Sequence, residues 1–178
     1  YALSTVPTER NVSDTRNYSR HYRQRLRAEV LLDAITDITE VSDSFSAMPP
    51  QSRANQIWTT RVSSLFLDTF GRPNPNQDPP CERMPESTVV QTLHLMNAPN
   101  LHNKLTTDAG FVARMAASEL PAEKIVEELY LRCYTRLPTA EELVVGRQVF
   151  EQSKDNRRQA TEDLLWALMN TPEFVFKN

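Results

Sequence analysis

Glycine is the residue this chain does without: it has three in 178, Gly71, Gly110 and Gly146, against twelve prolines. Average usage of roughly 7% would supply about a dozen. No two of the three stand close enough to build a glycine-rich phosphate loop or a GxGxxG turn. Primed hairpin turns also consume glycine, so a hairpin-rich all-β fold is disfavoured. What remains is helix. The sequence predicts an all-α fold, a single compact domain of about seven or eight helices, broken by a Pro-rich loop over residues 71–86. Gly71 stands at the head of that loop, where a left-handed cap is needed, and Gly146 falls inside a predicted helix, where it permits close packing.

Helical periodicity carries the rest of the fold reading. After an extended lead-in over 1–17, the clearest helix is expected over 18–41. Leu26, Val30, Leu31, Ala34, Ile35, Ile38 and Val41 share one face; Glu29, Asp33, Asp37 and Glu40 share the other. Residues 54–61 are β-prone without an evident partner strand, and 62–69 read as a short helix closed by Phe70-Gly71-Arg72-Pro73. Beyond the Pro-rich loop, helices are predicted over 86–97 with Val89, Val90, Leu93 and Met96 inward, over 99–105, and over 109–118. Another starts at Pro121 and carries Ile125, Leu129 and Cys133. Thr139-Ala140-Glu141-Glu142 is a capping box for a helix with Leu143, Val144 and Phe150 inward. A last long helix spans about 156–169 and Thr171-Pro172-Glu173 caps a final turn.

Charge bounds the partners. Twenty basic and 23 acidic residues leave a formal net charge of −3, a poor balance for general nucleic-acid binding. No apolar run approaches the roughly 18 residues that cross a bilayer. The chain opens on Tyr1, so it is expected to be a piece of a longer protein whose targeting signal lies elsewhere. The charge is also uneven. Residues 1–27 hold Arg10, Arg16, Arg20, Arg23, Arg25 and Arg27 with only Glu9 and Asp14 as acids, and the acidic stripe follows directly. Arginine without lysine favours planar, bidentate pairing. The expected arrangement is an arm docked on Glu29, Asp33 and Asp37; the other reading is an arm that binds an anionic partner.

Few residues are grouped for chemistry. Cys81-Glu82-Arg83-Met84-Pro85-Glu86 places a thiol, an arginine and two carboxylates before a helix. Glu82 and Glu86 can form an acid–base pair, or Glu86 can face a helix N-terminus while Arg83 clamps the loop. His94 borders an apolar helix face and reads as a core histidine; His94 and Met96, two apart, point in different directions and cannot share an iron. His102 lies two turns on without a third ligand, so no metal site is expected. There is no CxxCH, hence no c-type haem attachment and no cofactor site in this segment. Asp14-Thr15-Arg16-Asn17 and Phe70-Gly71-Arg72-Pro73 each set an arginine beside groups that can hold it against a carboxylate, sulfate or phosphate.

Taken in order, Asp14-Thr15-Arg16-Asn17, Arg25-Leu26-Arg27-Ala28-Glu29-Val30-Leu31-Leu32-Asp33-Ala34, Phe66-Leu67-Asp68-Thr69-Phe70-Gly71-Arg72-Pro73, Cys81-Glu82-Arg83, Leu93-His94-Leu95-Met96-Asn97, Glu127-Glu128-Leu129-Tyr130 and Trp166-Ala167-Leu168-Met169-Asn170 resemble the planctomycete-type domain of unknown function 1553. The resemblance runs nearly end to end. It implies the C-terminal part of an exported multidomain protein, periplasmic or extracellular, often with an upstream cytochrome c domain that carries haem. A second cysteine that the family often has two residues before Cys81 is replaced here by Pro79, which weakens a dithiol role. The leading expectation is therefore an accessory interaction module that docks upstream domains of the same polypeptide, or a polysaccharide or anionic ligand. Asp14, Arg16, Arg72, Arg83 and Asn97 are its candidate contacts. The alternative is an enzyme domain acting on polysaccharide, with Glu82 and Glu86 or Asp68 as carboxylates and His94 nearby.

Overall fold

A computed structural model describes residues 3–73 and 87–177, apart from positions 15, 47, 60, 154 and 155. Helix is its main regular structure. Eight helices of five residues or more run in order: α1 (Ala28–Thr39), α2 (Leu65–Thr69), α3 (Val89–Asn97), α4 (Pro99–Thr106), α5 (Phe111–Ala116), α6 (Ala122–Tyr134), α7 (Ala140–Gln152) and α8 (Arg157–Met169). A single turn, α9 (Pro172–Val175), and two short strands complete it. β1 (Gln24–Arg25) pairs antiparallel with β2 (Phe176–Lys177), Gln24 opposite Lys177 and Arg25 opposite Phe176. The Pro-rich loop reading lies mostly outside the described residues, which leave off at Pro73 and resume at Ser87.

The first helix begins at Ala28, not at residue 18. Two local facts prevent the earlier start. Tyr18 holds a left-handed φ of 53°, and the Leu26 N–H donates to the Val175 carbonyl at 2.9 Å, tying residues 24–26 to the C-terminal segment. From Ala28 on, Leu31, Ile35 and Ile38 of the expected apolar face are buried, with Leu32 beside them, in one core cluster with Phe66 and Leu67 of α2, Phe111 and Val112 of α5, Ile125 and Leu129 of α6 and Leu165 of α8. Val30, expected in that face, is 38% exposed. The β-prone stretch 54–61 forms no strand; its start is a 3₁₀ turn, Ala54–Gln56, packed on α1.

The scarcity of glycine leaves a trace in the backbone. Helix α1 ends on Glu40 at φ 59° and α6 on Thr135 at φ 57°, left-handed caps that glycine fills in most proteins. Gly71, at φ 79°, is the only glycine used this way. Gly146 serves packing instead. It is the one buried residue of α7, and a Cβ built there meets both Val126 methyls of α6 at 2.7 Å. Val144, expected inward, is 43% exposed, because α7 approaches the core through its glycine.

Helix α3 is turned opposite to expectation. Val89, Val90, Leu93 and Met96 share a face, but that face is exposed, at 75%, 65%, 53% and 43%. The buried residues are Gln91 and Leu95. Thr88 and Gln91 form a capping box, and Gln91 Nε2 donates to the Thr69 carbonyl at 3.1 Å, so the cap itself fixes the helix to α2 by its polar side.

The predicted capping box at Thr139 is present: its N–H donates to Glu142 Oε2 at 2.7 Å and the Glu142 N–H returns to Thr139 Oγ1 at 3.3 Å. Arg136 locks it. Its guanidinium reaches both Glu142 oxygens at 2.8 Å and both Glu173 oxygens at 2.8 and 2.9 Å, joining α7 to α9. The hydrogen bonds from Arg136 hold the Glu142 carboxyl at about 2, below its ordinary 4.5. A carboxyl depressed on folding adds stability that is complete above about 4.5 and lost as pH falls through about 2. Arg136→Gln is therefore expected to flatten the acid side of the stability curve over that window. Because both partners are partly solvated, the loss at neutral pH is about 1 kcal/mol, checked by urea unfolding at a series of pH values.

Candidate functional site

The arginine arm does not dock on Asp33 or Asp37 of the acidic stripe. Asp33 and Asp37 are taken by Arg53: Asp37 by two hydrogen bonds of 2.9 and 2.7 Å, Asp33 at 3.5 Å. Glu40 pairs with Arg114 at 2.6 Å and Arg132 at 2.7 Å. Asp43 pairs with the buried Lys104 at 3.1 Å. The correction has a physical basis. Partners that arrive on rigid helices or on a turn already packed against α1 reach the stripe at fixed geometry, whereas the arm is diverted to the C-terminal strand. Among the described residues, Arg10, Arg16, Arg20, Arg23 and Arg27 make no ion pair.

What the arm builds instead starts from Asp14. Its carboxylate accepts the N–H groups of Arg16 at 3.0 Å, Asn17 at 2.9 Å and Ser19 at 3.3 Å, and also the Ser19 hydroxyl. These hydrogen bonds, the Ser19 hydroxyl foremost, hold the Asp14 carboxyl far below the usual carboxylate range. Asp14 is thus the organiser of a turn, not a free ligand donor. The turn presents Tyr18, 72% exposed, on left-handed backbone that an aromatic residue seldom adopts. Tyr22 closes the unit by donating its hydroxyl to the Asp14 carbonyl at 2.9 Å.

Tyr18 and Tyr22 flank a cavity of about 460 Å³. Their rings lie 5.8 Å apart and tilted by 55°. The Arg20 guanidinium sits 4.8 Å above the Tyr22 ring. Arg20, His21, Gln24 and Lys177 complete the polar lining, with Leu3 at the lip, and among the described residues no carboxylate lines it. Arg20 Nε and His21 Nε2 are buried without a hydrogen-bond partner. A buried donor left unmade costs free energy, so two on one wall mark a place where a ligand atom brings a gain. The arrangement can hold an anion of modest size against an apolar surface.

The other predicted residues lie elsewhere. Arg72 is 8% exposed, and its Nε and Nη2 both reach Asp68 Oδ1 at 2.8 Å, the loop-clamping role; Nη1 is buried without a partner. His94 is partly buried between Phe66 and Phe70, ring centroids 5.6 and 6.0 Å away, and burial lowers its pKa. Its Nε2 has no partner, so it is a core histidine held by ring edges rather than by hydrogen bonds. Asn97 is exposed and donates to the Leu93 carbonyl of its own helix at 3.1 Å. Arg16 is exposed on the Asp14 turn. Cys81, Glu82, Arg83 and Glu86 lie outside the described residues, as does any pairing of Cys81 with Cys133. The Cys133 thiol is pushed up to about 12 by burial, which makes it inert. Among the described residues no three His, Cys, Asp or Glu side chains gather to hold a metal, and no helix is long and apolar enough to cross a membrane.

Sequence reasoning missed Tyr18, Tyr22 and Lys177. No regular spacing marks them: Tyr18 stands on left-handed backbone, and Arg20, His21 and Tyr22 line the cavity consecutively.

A family model described as PSD1, protein of unknown function (DUF1553), matches residues 1–150. No curated protein matches the chain, and no solved structure does.

Proposed function

The chain belongs to the DUF1553 family of proteins of unknown function, and from that premise and the geometry above we propose that it is an accessory binding module for an anionic polysaccharide. The observation that carries this reading is the diversion of the arm. With Arg53, Arg114, Arg132 and Lys104 answering Asp33, Asp37, Glu40 and Asp43, the arm's Arg10, Arg16, Arg20, Arg23 and Arg27 stay available to an outside anion. An acidic protein that concentrates uncompensated arginine on one extended segment meets a polyanion there and repels it elsewhere. The exported, multidomain setting with an upstream haem domain, implied by the family resemblance, belongs to the same proposal; in it the module holds a polysaccharide beside its neighbouring domains.

The test uses dextran sulfate and alginate as probes. The 178-residue chain is expected to be retained by both at low salt despite its net charge of −3, and to be released as salt screens the contacts. Arg10, Arg16 and Arg23 are exposed, so the triple variant R10Q/R16Q/R23Q folds as the parent does. It is expected to bind about tenfold more weakly. Absence of binding by the parent, or equal binding by the variant, refutes the reading.

A further inference from the structure

Resting on that reading, we infer that the cavity between Tyr18 and Tyr22 is a discrete subsite that seats one anionic sugar ring, carboxylated or sulfated, at the end or within the polymer the arm attracts. Among the described residues the charge lining the cavity is of one sign: Arg20 and Lys177 with no carboxylate. Arg20 is held over the Tyr22 face, and it makes no hydrogen bond or ion pair among the described residues. A guanidinium already oriented loses little freedom on meeting a planar or tetrahedral oxyanion.

The same wall argues for a sugar over a flat aromatic ligand. Rings tilted by 55° leave no parallel slot for a planar ring or a base. They do leave Tyr18 as a freely standing apolar face, against which the C–H side of a puckered ring can rest. The Tyr18 hydroxyl, the Gln24 amide and His21 then stand where hydroxyl groups need donors and acceptors. A volume of about 460 Å³ admits one such ring with its anionic group and belongs to the ordinary range of ligand clefts. The left-handed Tyr18 fits this picture, since strained backbone persists where the surroundings hold it, here through the Asp14 carboxylate.

The test is titration calorimetry of the whole chain with tetragalacturonate, a sulfated tetrasaccharide and neutral maltotetraose, all too short to depend on the full arm. Tyr18→Gly removes the ring and suits the left-handed backbone; Arg20→Gln removes the oriented cation. The expected result is binding of at least one anionic tetramer, about tenfold weaker in either variant, with no binding of maltotetraose. Whichever anionic tetramer shows that dependence identifies the anionic group. Dextran sulfate is expected still to be retained by Tyr18→Gly, though less tightly than by the parent, because Arg10, Arg16 and Arg23 are intact. If the parent holds dextran sulfate but neither anionic tetramer, or if Tyr18→Gly binds a tetramer unchanged, the subsite is refuted and the polyanion reading stands. Binding of maltotetraose as tightly as its anionic counterparts also refutes it. If the parent holds no polyanion at all, both fall.

Discussion

Asp33→Ala is expected to lower stability by about 3 kcal/mol, a fall in melting temperature of about 10 °C for a chain of this length. Asp33 is only 5% exposed. Its carboxylate accepts the Ala54 N–H at 2.6 Å, the Asn55 N–H at 3.2 Å and the Asn55 side-chain amide at 2.6 Å. Removing it strands the buried Ala54 N–H, breaks two more hydrogen bonds from Asn55 and releases the 3₁₀ turn from α1, and the turn is what carries Arg53 to Asp37. The hydrogen bonds and not the ion pair dominate, because Arg53 is 47% exposed in its side chain. Arg53→Met is accordingly expected to cost under about 1 kcal/mol, and Asp33→Asn, which keeps one acceptor, about half the alanine effect. Urea unfolding of the three variants orders them. An Arg53→Met loss as large as that of Asp33→Ala would overturn the assignment.

Asp33 also shows where the sequence is silent. Its spacing with Glu29 and Asp37 defines a polar helix face, and nothing in that spacing says that one member is buried as a cap for a turn some twenty residues away. Elements bounded by local chemistry are legible: the Thr139 capping box, the Thr171 cap and the Gly71 turn all stand where their residues place them. Orientation is less so. Periodicity groups Val89, Val90, Leu93 and Met96 on one face, but which way the face turns depends on Gln91 finding the Thr69 carbonyl. The arm fails for a related reason. Residues 18–27 border a strong amphipathic pattern and inherit its helix, while the competing strand partner, Phe176–Lys177, lies at the far end of the chain. A pairing that distant leaves no local mark. The candidate site is assembled from both ends of the sequence, so a reading that moves along the chain sees its halves and not their meeting.

Gly146 is where the poverty in glycine can be tested most sharply, because propensity and packing predict opposite signs. In the middle of a helix, Gly→Ala ordinarily gains about 1 kcal/mol. Here the added Cβ meets both methyls of Val126 at 2.7 Å. Valine is stiff at χ1 and sits at 0% exposure in α6, so it has no room to yield. The two long helices must move apart, and overpacking of this kind costs about 1–3 kcal/mol. Gly146→Ala is therefore expected to be net destabilising, and Gly146→Val to lose about 3 kcal/mol. Val126→Ala, which removes the obstructing methyls, loses stability alone through the cavity it leaves. In the double variant with Gly146→Ala the new Cβ fills part of that cavity. The pair is expected to be less damaging than the sum of the two single changes by about 1 kcal/mol or more. Thermal unfolding of the four-member cycle decides it. A Gly146→Ala protein more stable than the parent, or strict additivity with Val126→Ala, would mean that α6 and α7 do not meet through this glycine.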